Sequence, residues 1–299
     1  MEAEDKIILS FIEYLQFEKR YSIHTTRAYH QDLREFYFYI QQTFEVSSFA
    51  EVQPTMFRSF MAYLSEKRNQ PKTIHRKISS LQSFSKFLLK KQLISADPLQ
   101  KIKKPKISKR LTEGVDQITV EKLFEEFQEV VDYPMVLKRM LISMLYSTGM
   151  RRAELVSLKQ NDIDLSGSQI KVFGKRGKER IIPMTNFLKK EILNYLATRN
   201  REFPLFDGDD FFLHPQGKSI TVSHVYQFVR ESLSMVTTAS KKGPHQFRHA
   251  FATHLLDEGA ELVAVKELLG HSSLAATQVY THQSIERLRD IYKKKHPKA

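Results

Sequence analysis

Cysteine is absent from the chain, which excludes disulfides, thiolate catalysis and Cys-ligated zinc. No apolar run approaches the roughly 20 residues that a membrane-spanning helix needs. The charged opening MEAEDK does not read as a signal peptide. Internal repeats and low-complexity tracts are missing, and so is the His-Glu-x-x-His pattern of zinc hydrolases. Acid is scarce in one stretch. From Lys67 to Arg110 there are 14 Lys and Arg and a single carboxylate, Asp97. These absences lead us to expect a soluble, cytoplasmic protein with no membrane partner.

What is present points to a polyanion. The 299 residues are too many for one modest core and suit two domains. Hydrophobic residues make up 41% and charged residues 27%, an ordinary globular balance. The net charge is +13, and it is unevenly placed. Residues 1–110 hold 20 Lys and Arg against 11 Asp and Glu, whereas the remainder holds 27 against 23. A basic face can be no more than a solvated one, and charge alone leaves RNA, DNA and anionic lipid open.

The first hundred residues read as four helices. Ile8, Phe11, Ile12 and Leu15 keep one apolar face through Lys6–Glu18. Ser22 to Thr25 offers capping hydroxyls before a helix carrying Ala28, Leu33, Phe36, Tyr37 and Ile40. Pro54 opens a third helix, and Asn69-Gln70-Pro71 precedes a fourth with Ile74, Ile78, Leu81 and Leu88 on one face. Lys72, Arg76, Lys77 and Lys86 decorate that fourth helix. Phe11, Phe36, Phe84 and Phe87 sit at core spacing rather than as a stacking platform. Residues 101–114, KIKKPKISKRLTEG, read as a basic linker able to cross a duplex, with Lys103, Lys104 and Lys106 as candidate phosphate contacts.

Past the linker, Thr119 is expected to cap a helix to about Val131, and Pro134 to open an apolar one that ends at Thr148-Gly149. Alternation then suits a β-hairpin of Ser168–Phe173 and Glu179–Pro183, with Phe211–Leu213 as a third strand. Further helices are expected at Asn186–Thr198, at Val222–Ser234, on either side of Gly259, and at Ile285–Lys294. The fold class is therefore mainly α in two domains, with a small three-stranded antiparallel sheet in the second.

The chemistry concentrates between Pro244 and Tyr280: His245-Gln246-Phe247-Arg248, then Gly270-His271, then Tyr280. Arginine holds non-bridging phosphate oxygens with a planar fork. Histidine moves a proton near neutral pH, and tyrosine can form a covalent intermediate. His245 and His249 at i,i+4, with His254 on the same helix, could instead ligate zinc, but the chain has neither a His-Glu-x-x-His pattern nor a cysteine to support such a site. Taken singly, Arg151 reads as a helix-surface charge and Tyr292 as an ordinary aromatic. The HQFRHAFATH run, the Gly270-His271 pair, Tyr280, Thr148-Gly149-Met150-Arg151-Arg152-Ala153-Glu154-Leu155 and Gly174-Lys175-Arg176-Gly177-Lys178-Glu179-Arg180 together resemble the tyrosine recombinases, above all the Xer group.

The resemblance spans nearly the whole chain. It implies an N-terminal SAM-like core-binding domain at 1–100, a linker at 101–114 and a catalytic domain with a tail helix at 115–299. It also implies that Arg151, Lys175, His245, Arg248, His271 and Tyr280 are catalytic, with Tyr280 as the nucleophile. Arg152 and Lys178 stand as rivals to Arg151 and Lys175, and Glu154 as an orienting contact. No cofactor and no metal are expected. The implied partners are a double-stranded DNA recombination site and a homo- or hetero-tetramer, with a sister recombinase and a DNA translocase as further candidates. The C-terminal stretch Tyr280-Thr281-His282 through His296-Pro297 is similar to the XerC/XerD group, which implies resolution of chromosome dimers during segregation. An integrase of a mobile element and a type IB topoisomerase share the chemistry, and a non-cleaving DNA-binding protein shares the fold. Ile285, Leu288 and Ile291 form a short apolar stripe that could dock on a neighbouring protomer or fold back on its own domain.

Overall fold

The computed structural model describes residues 2–105, 115–128, 131–174, 179–239, 242–270 and 295. The chain divides into two compact units, Met1–Leu111 and Thr112–Ala299. Among the described residues, no helix is long and apolar enough to cross a membrane.

The first unit is built from α1 (Glu2–Glu13), α2 (Ile23–Phe44), α3 (Pro54–Glu66) and α4 (Pro71–Lys90). Ser22 caps α2 by accepting the Thr25 backbone N–H at 3.3 Å. Pro54 and Pro71 open α3 and α4, where a missing N–H costs nothing. The first helix differs from expectation. It begins at Glu2 and gives way at Tyr14 to one π-helical turn, Tyr14–Glu18, in which Leu15 is buried. The core is aromatic: Phe11, Phe36, Phe60, Phe84 and Phe87 are all buried, with the Phe36 and Phe57 rings stacked at 4.7 Å. These rings hold the bundle together and do not face outward to meet bases.

Hydrophobic burial also organises the second unit. Its helices are α5 (Gln117–Glu125), α6 (Tyr133–Thr148), α7 (Arg152–Val156), α8 (Asn186–Glu202), α9 (Val222–Val236), α10 (Pro244–Asp257) and α11 (Leu262–Leu269). Every residue from Met140 to Thr148 is buried. A helix apolar all round has to be wrapped on all sides, and α8, α9 and α10 pack around α6. The cap of α5 is Asp116 rather than the expected Thr119. Its carboxylate accepts the Thr119 N–H at 2.7 Å, because it stands three residues before the free donor.

The sheet is antiparallel in the order β1 (Ile163–Asp164), β2 (Gln169–Phe173), β3 (Glu179–Pro183). Residues Ile170 and Val172 of β2 face the core opposite Ile182 and Arg180 of β3. The third strand is thus Ile163–Asp164 and not Phe211–Leu213. The latter run is buried on both faces and belongs to no strand ladder: isolated backbone bonds to Leu158 and Ile220 and a single bridge to Ser219 are joined by bonds from side chains. Tyr133 donates to Leu213 O at 2.8 Å, Tyr195 to Phe211 O at 3.2 Å, and Arg199 to the same oxygen at 3.0 Å.

Candidate active site

Gly149 sets the site. It ends α6 in the left-handed region at φ +59, a conformation glycine adopts without penalty. A Cβ there would meet Phe251 at 2.5 Å and Leu269 at 2.8 Å. The end of α6 is therefore in close contact with α10 and α11. Two residues later the chain leaves the core, and Arg151 becomes the N-cap of α7. The neighbouring Arg152 points elsewhere, with its guanidinium 5.7 Å from the Tyr226 ring.

Glu154 holds Arg151. One carboxylate oxygen accepts the Arg151 backbone N–H at 2.8 Å and the other accepts Arg151 Nη1 at 2.7 Å. Burial pushes the Glu154 carboxyl up, but hydrogen bonds from Arg180 and Arg151 and the Arg180 charge outweigh it. The net result is a group held below the usual carboxylate range. Arg248 comes from the first turns of α10. It donates through Nη1 to Gly149 O at 2.6 Å and through Nη2 to Leu269 O at 2.7 Å. Burial first, and then the Arg151 and Arg180 charges, press its guanidinium down to about 10, while Glu154 pulls the other way.

Among the described residues, Arg151 and Arg180 both bond the Glu154 carboxylate, and Arg248 lies close enough to feel all three charges. Several guanidiniums close together in a partly buried place favour an anion. His245 lies on the same helix as Arg248, three residues earlier, and is exposed. His254, further along, is half-buried and its Nδ1 meets the Tyr146 hydroxyl at 3.0 Å. Burial lowers its pKa against the opposing pull of Asp257 and Asp116. Among the described residues, no group of three His, Asp or Glu is arranged to hold a metal ion. Lys175, its rival Lys178, His271 and Tyr280 lie outside the described residues, as do the 106–114 stretch of the linker and the Ile285–Lys294 helix.

In the first unit, the seven basic residues expected at a duplex divide by environment. Lys72, Lys86 and Lys103 are exposed. Arg76 binds the buried Asp32 carboxylate with both arms of its fork, where Ser80 also donates at 2.7 Å. Lys77 departs from the expected surface position: it is buried, and its ammonium meets Glu35 of α2. Lys104 donates to Ser79 at 2.7 Å, and burial together with the Lys86 charge lowers its pKa. Lys106 lies outside the described residues.

A SAM-like helical unit followed by a mainly α unit with a small sheet is the fold of the tyrosine recombinases. The family model "Phage integrase family" matches residues 114–287, and "Phage integrase, N-terminal SAM-like domain" matches residues 8–92. The chain belongs to the phage integrase family. It is 36% identical over 300 residues to tyrosine recombinase XerC of Leptospira interrogans serovar copenhageni, covering 100% of this chain and 95% of that one. It is 35% identical over 303 residues to tyrosine recombinase XerC of Bacillus subtilis strain 168, covering 100% and 99%. Among solved structures, XerH site-specific recombinase bound to a palindromic difH substrate in a post-cleavage complex shares the fold. That likeness has a TM-score of 0.73 at 22% identity and covers 96% of this chain and 83% of that one.

Sequence reasoning missed Arg180 as part of the site. It was legible only as the last residue of the hairpin motif. Its signal was an arginine at an inward position of an alternating strand, between Glu179 and Ile181 on the outer face.

Proposed function

We propose that this chain is a site-specific recombinase that cuts and rejoins double-stranded DNA through a 3′-phosphotyrosyl intermediate and resolves chromosome dimers in the cytoplasm. The observation that carries this reading is the cluster of Arg151, Arg248 and Arg180 around one carboxylate. Its surplus charge suits a phosphate whose equatorial oxygens gain charge during in-line attack. Arg151 and Arg248 clamp the scissile phosphate. The Tyr280 oxygen forms a bond to phosphorus as the bond to the 5′ oxygen breaks, and His245 takes part in moving the tyrosine proton. Lys175 supplies a proton to the departing 5′ oxygen, and His271 hydrogen-bonds the phosphate. The phosphotyrosine conserves the bond energy, so a 5′-hydroxyl from a second duplex reverses the step, and neither ATP nor Mg²⁺ is called for.

Full-length similarity to chains named XerC favours chromosomal dimer resolution over mobile-element integration. It also supports a tetramer on the recombination site, with a sister recombinase and a DNA translocase as candidate partners. Lys72, Lys86 and Lys103 are the phosphate contacts of the first unit in this reading, joined by Lys104 and Lys106.

A nicked suicide duplex carrying the recombination site tests the reaction. The unchanged chain is expected to form a protease-sensitive covalent adduct, and Tyr280→Phe to bind with the same affinity and form none. Reversible binding without adduct from the unchanged chain would make it a DNA-binding protein on the recombinase fold.

A further inference from the structure

Arg180 touches no reacting atom in the reaction as described, yet among the described residues few charges are more completely enclosed. It is the second residue of β3, on the core face opposite Val172, and is 4% exposed. A guanidinium in such a place is tolerated only when its donors are matched. Its Nη2 donates to Glu154 Oε2 at 2.7 Å, and its Nε donates to Leu268 O at 2.9 Å. The first bond reaches the carboxylate that holds Arg151. The second reaches the last turn of α11, which ends at Gly270 in the left-handed region (φ +64) directly before His271. The Arg180 side chain also packs on Gly270, where an added Cβ would lie 3.2 Å from its Cδ.

One side chain therefore joins three separate pieces of sequence: β3, the Glu154–Arg151 pair, and the Leu268–Gly270 corner that precedes His271 in the chain. We propose that Arg180 is a positioning residue for strand transfer: it fixes Arg151, through Glu154, relative to the Leu268–Gly270 corner. It never touches DNA. The role calls for arginine specifically, because a planar fork donates in two fixed directions at once and an ammonium on a flexible stem does not.

This inference rests on the recombinase reading above, and the experiment separates the two. Full-length Arg180→Lys is compared with the unchanged chain for affinity to the recombination site, thermal unfolding, and single-turnover adduct formation on the nicked suicide duplex. The lysine variant is expected to bind and unfold almost as before but to form adduct about 100-fold more slowly, the scale on which a misplacement of about 1 Å acts. A second substrate carries a neutral methylphosphonate at the scissile position, which removes one non-bridging oxygen and its charge and so leaves Arg151 less equatorial charge to offset. On it the Arg180→Lys deficit should shrink to less than about 10-fold, in step with that of Arg151→Ala. In the double variant Arg180→Lys/Glu154→Gln, the loss should not exceed that of the worse single change by more than about threefold, because both act through one link.

Unaltered adduct formation by Arg180→Lys, an equal deficit on both substrates, or fully multiplicative losses in the double variant would each overturn the proposal. So would a loss that merely tracks the unfolded fraction. If the unchanged chain forms no adduct at all, it is the recombinase reading that fails.

Discussion

At Gly149 the backbone turns left-handed beneath the Phe251 ring and the Leu269 methyls, and the two demands reinforce each other. An alanine there would be strained in backbone and overpacked in side chain together. Gly149→Ala is expected to lower the unfolding free energy by about 2–4 kcal/mol, combining the left-handed penalty with the cost of an extra methyl in a packed core. Equilibrium denaturation would show it, and a loss under about 1 kcal/mol would mean that Phe251 and Leu269 give way easily. Arg151 and Arg248 were singled out from sequence as candidate phosphate ligands, and the structure places both beside the end of α6. The choice between Arg151 and Arg152 was not legible there, since adjacent helix positions differ only in direction; Glu154 and Tyr226 settle where each guanidinium goes. Arg180 was hidden for a related reason. Whether a strand residue points inward is decided by register, and an arginine in an amphipathic strand looks like its solvent face until its partner is known.

Secondary-structure elements with long periodic patterns could be read directly, as α2, α3, α4 and α8 show, because a wide apolar stripe survives small errors at the ends. Short elements and termini could not. Thr119 looked like a cap because hydroxyls cap helices, but the free donor was Thr119's own N–H and the acceptor stood at Asp116. The hydrogen bonds to Thr119 hold the Asp116 carboxyl below its usual range against a small opposing effect of burial. Asp116→Ala is expected to destabilise the second unit by about 1 kcal/mol, whereas Thr119→Ala, which keeps its N–H, should cost less. Urea titration of both variants checks the order, and the reverse order would return the cap to Thr119. The misplaced third strand has a clear cause. Phe211–Leu213 has strand composition but hydrogen-bonds to the Tyr133 and Tyr195 hydroxyls, while Ile163–Asp164 is too short for any pattern to appear.

At the scale of the molecule, charge is concentrated in the first unit, but not all of it is available. Lys77 is buried against Glu35, and Arg76, though half exposed, directs its fork at Asp32, whereas Lys72, Lys86 and Lys103 are exposed. Affinity for DNA should fall steeply with salt. Replacing Lys72, Lys86 or Lys103 with alanine should each reduce the slope of log affinity against log salt by about 0.9. Lys77→Ala should leave that slope nearly unchanged and instead lower the stability of the bundle, because it strands Glu35. Fluorescence anisotropy across a salt series distinguishes the two classes, and a full slope change from Lys77→Ala would mean its charge reaches the duplex. The arginine cluster has a consequence of its own. Among the described residues, Arg151 and Arg180 bond Glu154 with Arg248 close by, and an anion settling between Arg151 and Arg248 would meet positive charge from both. Occupancy and conformational firmness are then linked by mass action: an anion held between the two guanidiniums should tighten the second unit as it binds, so that ligand and fold steady one another.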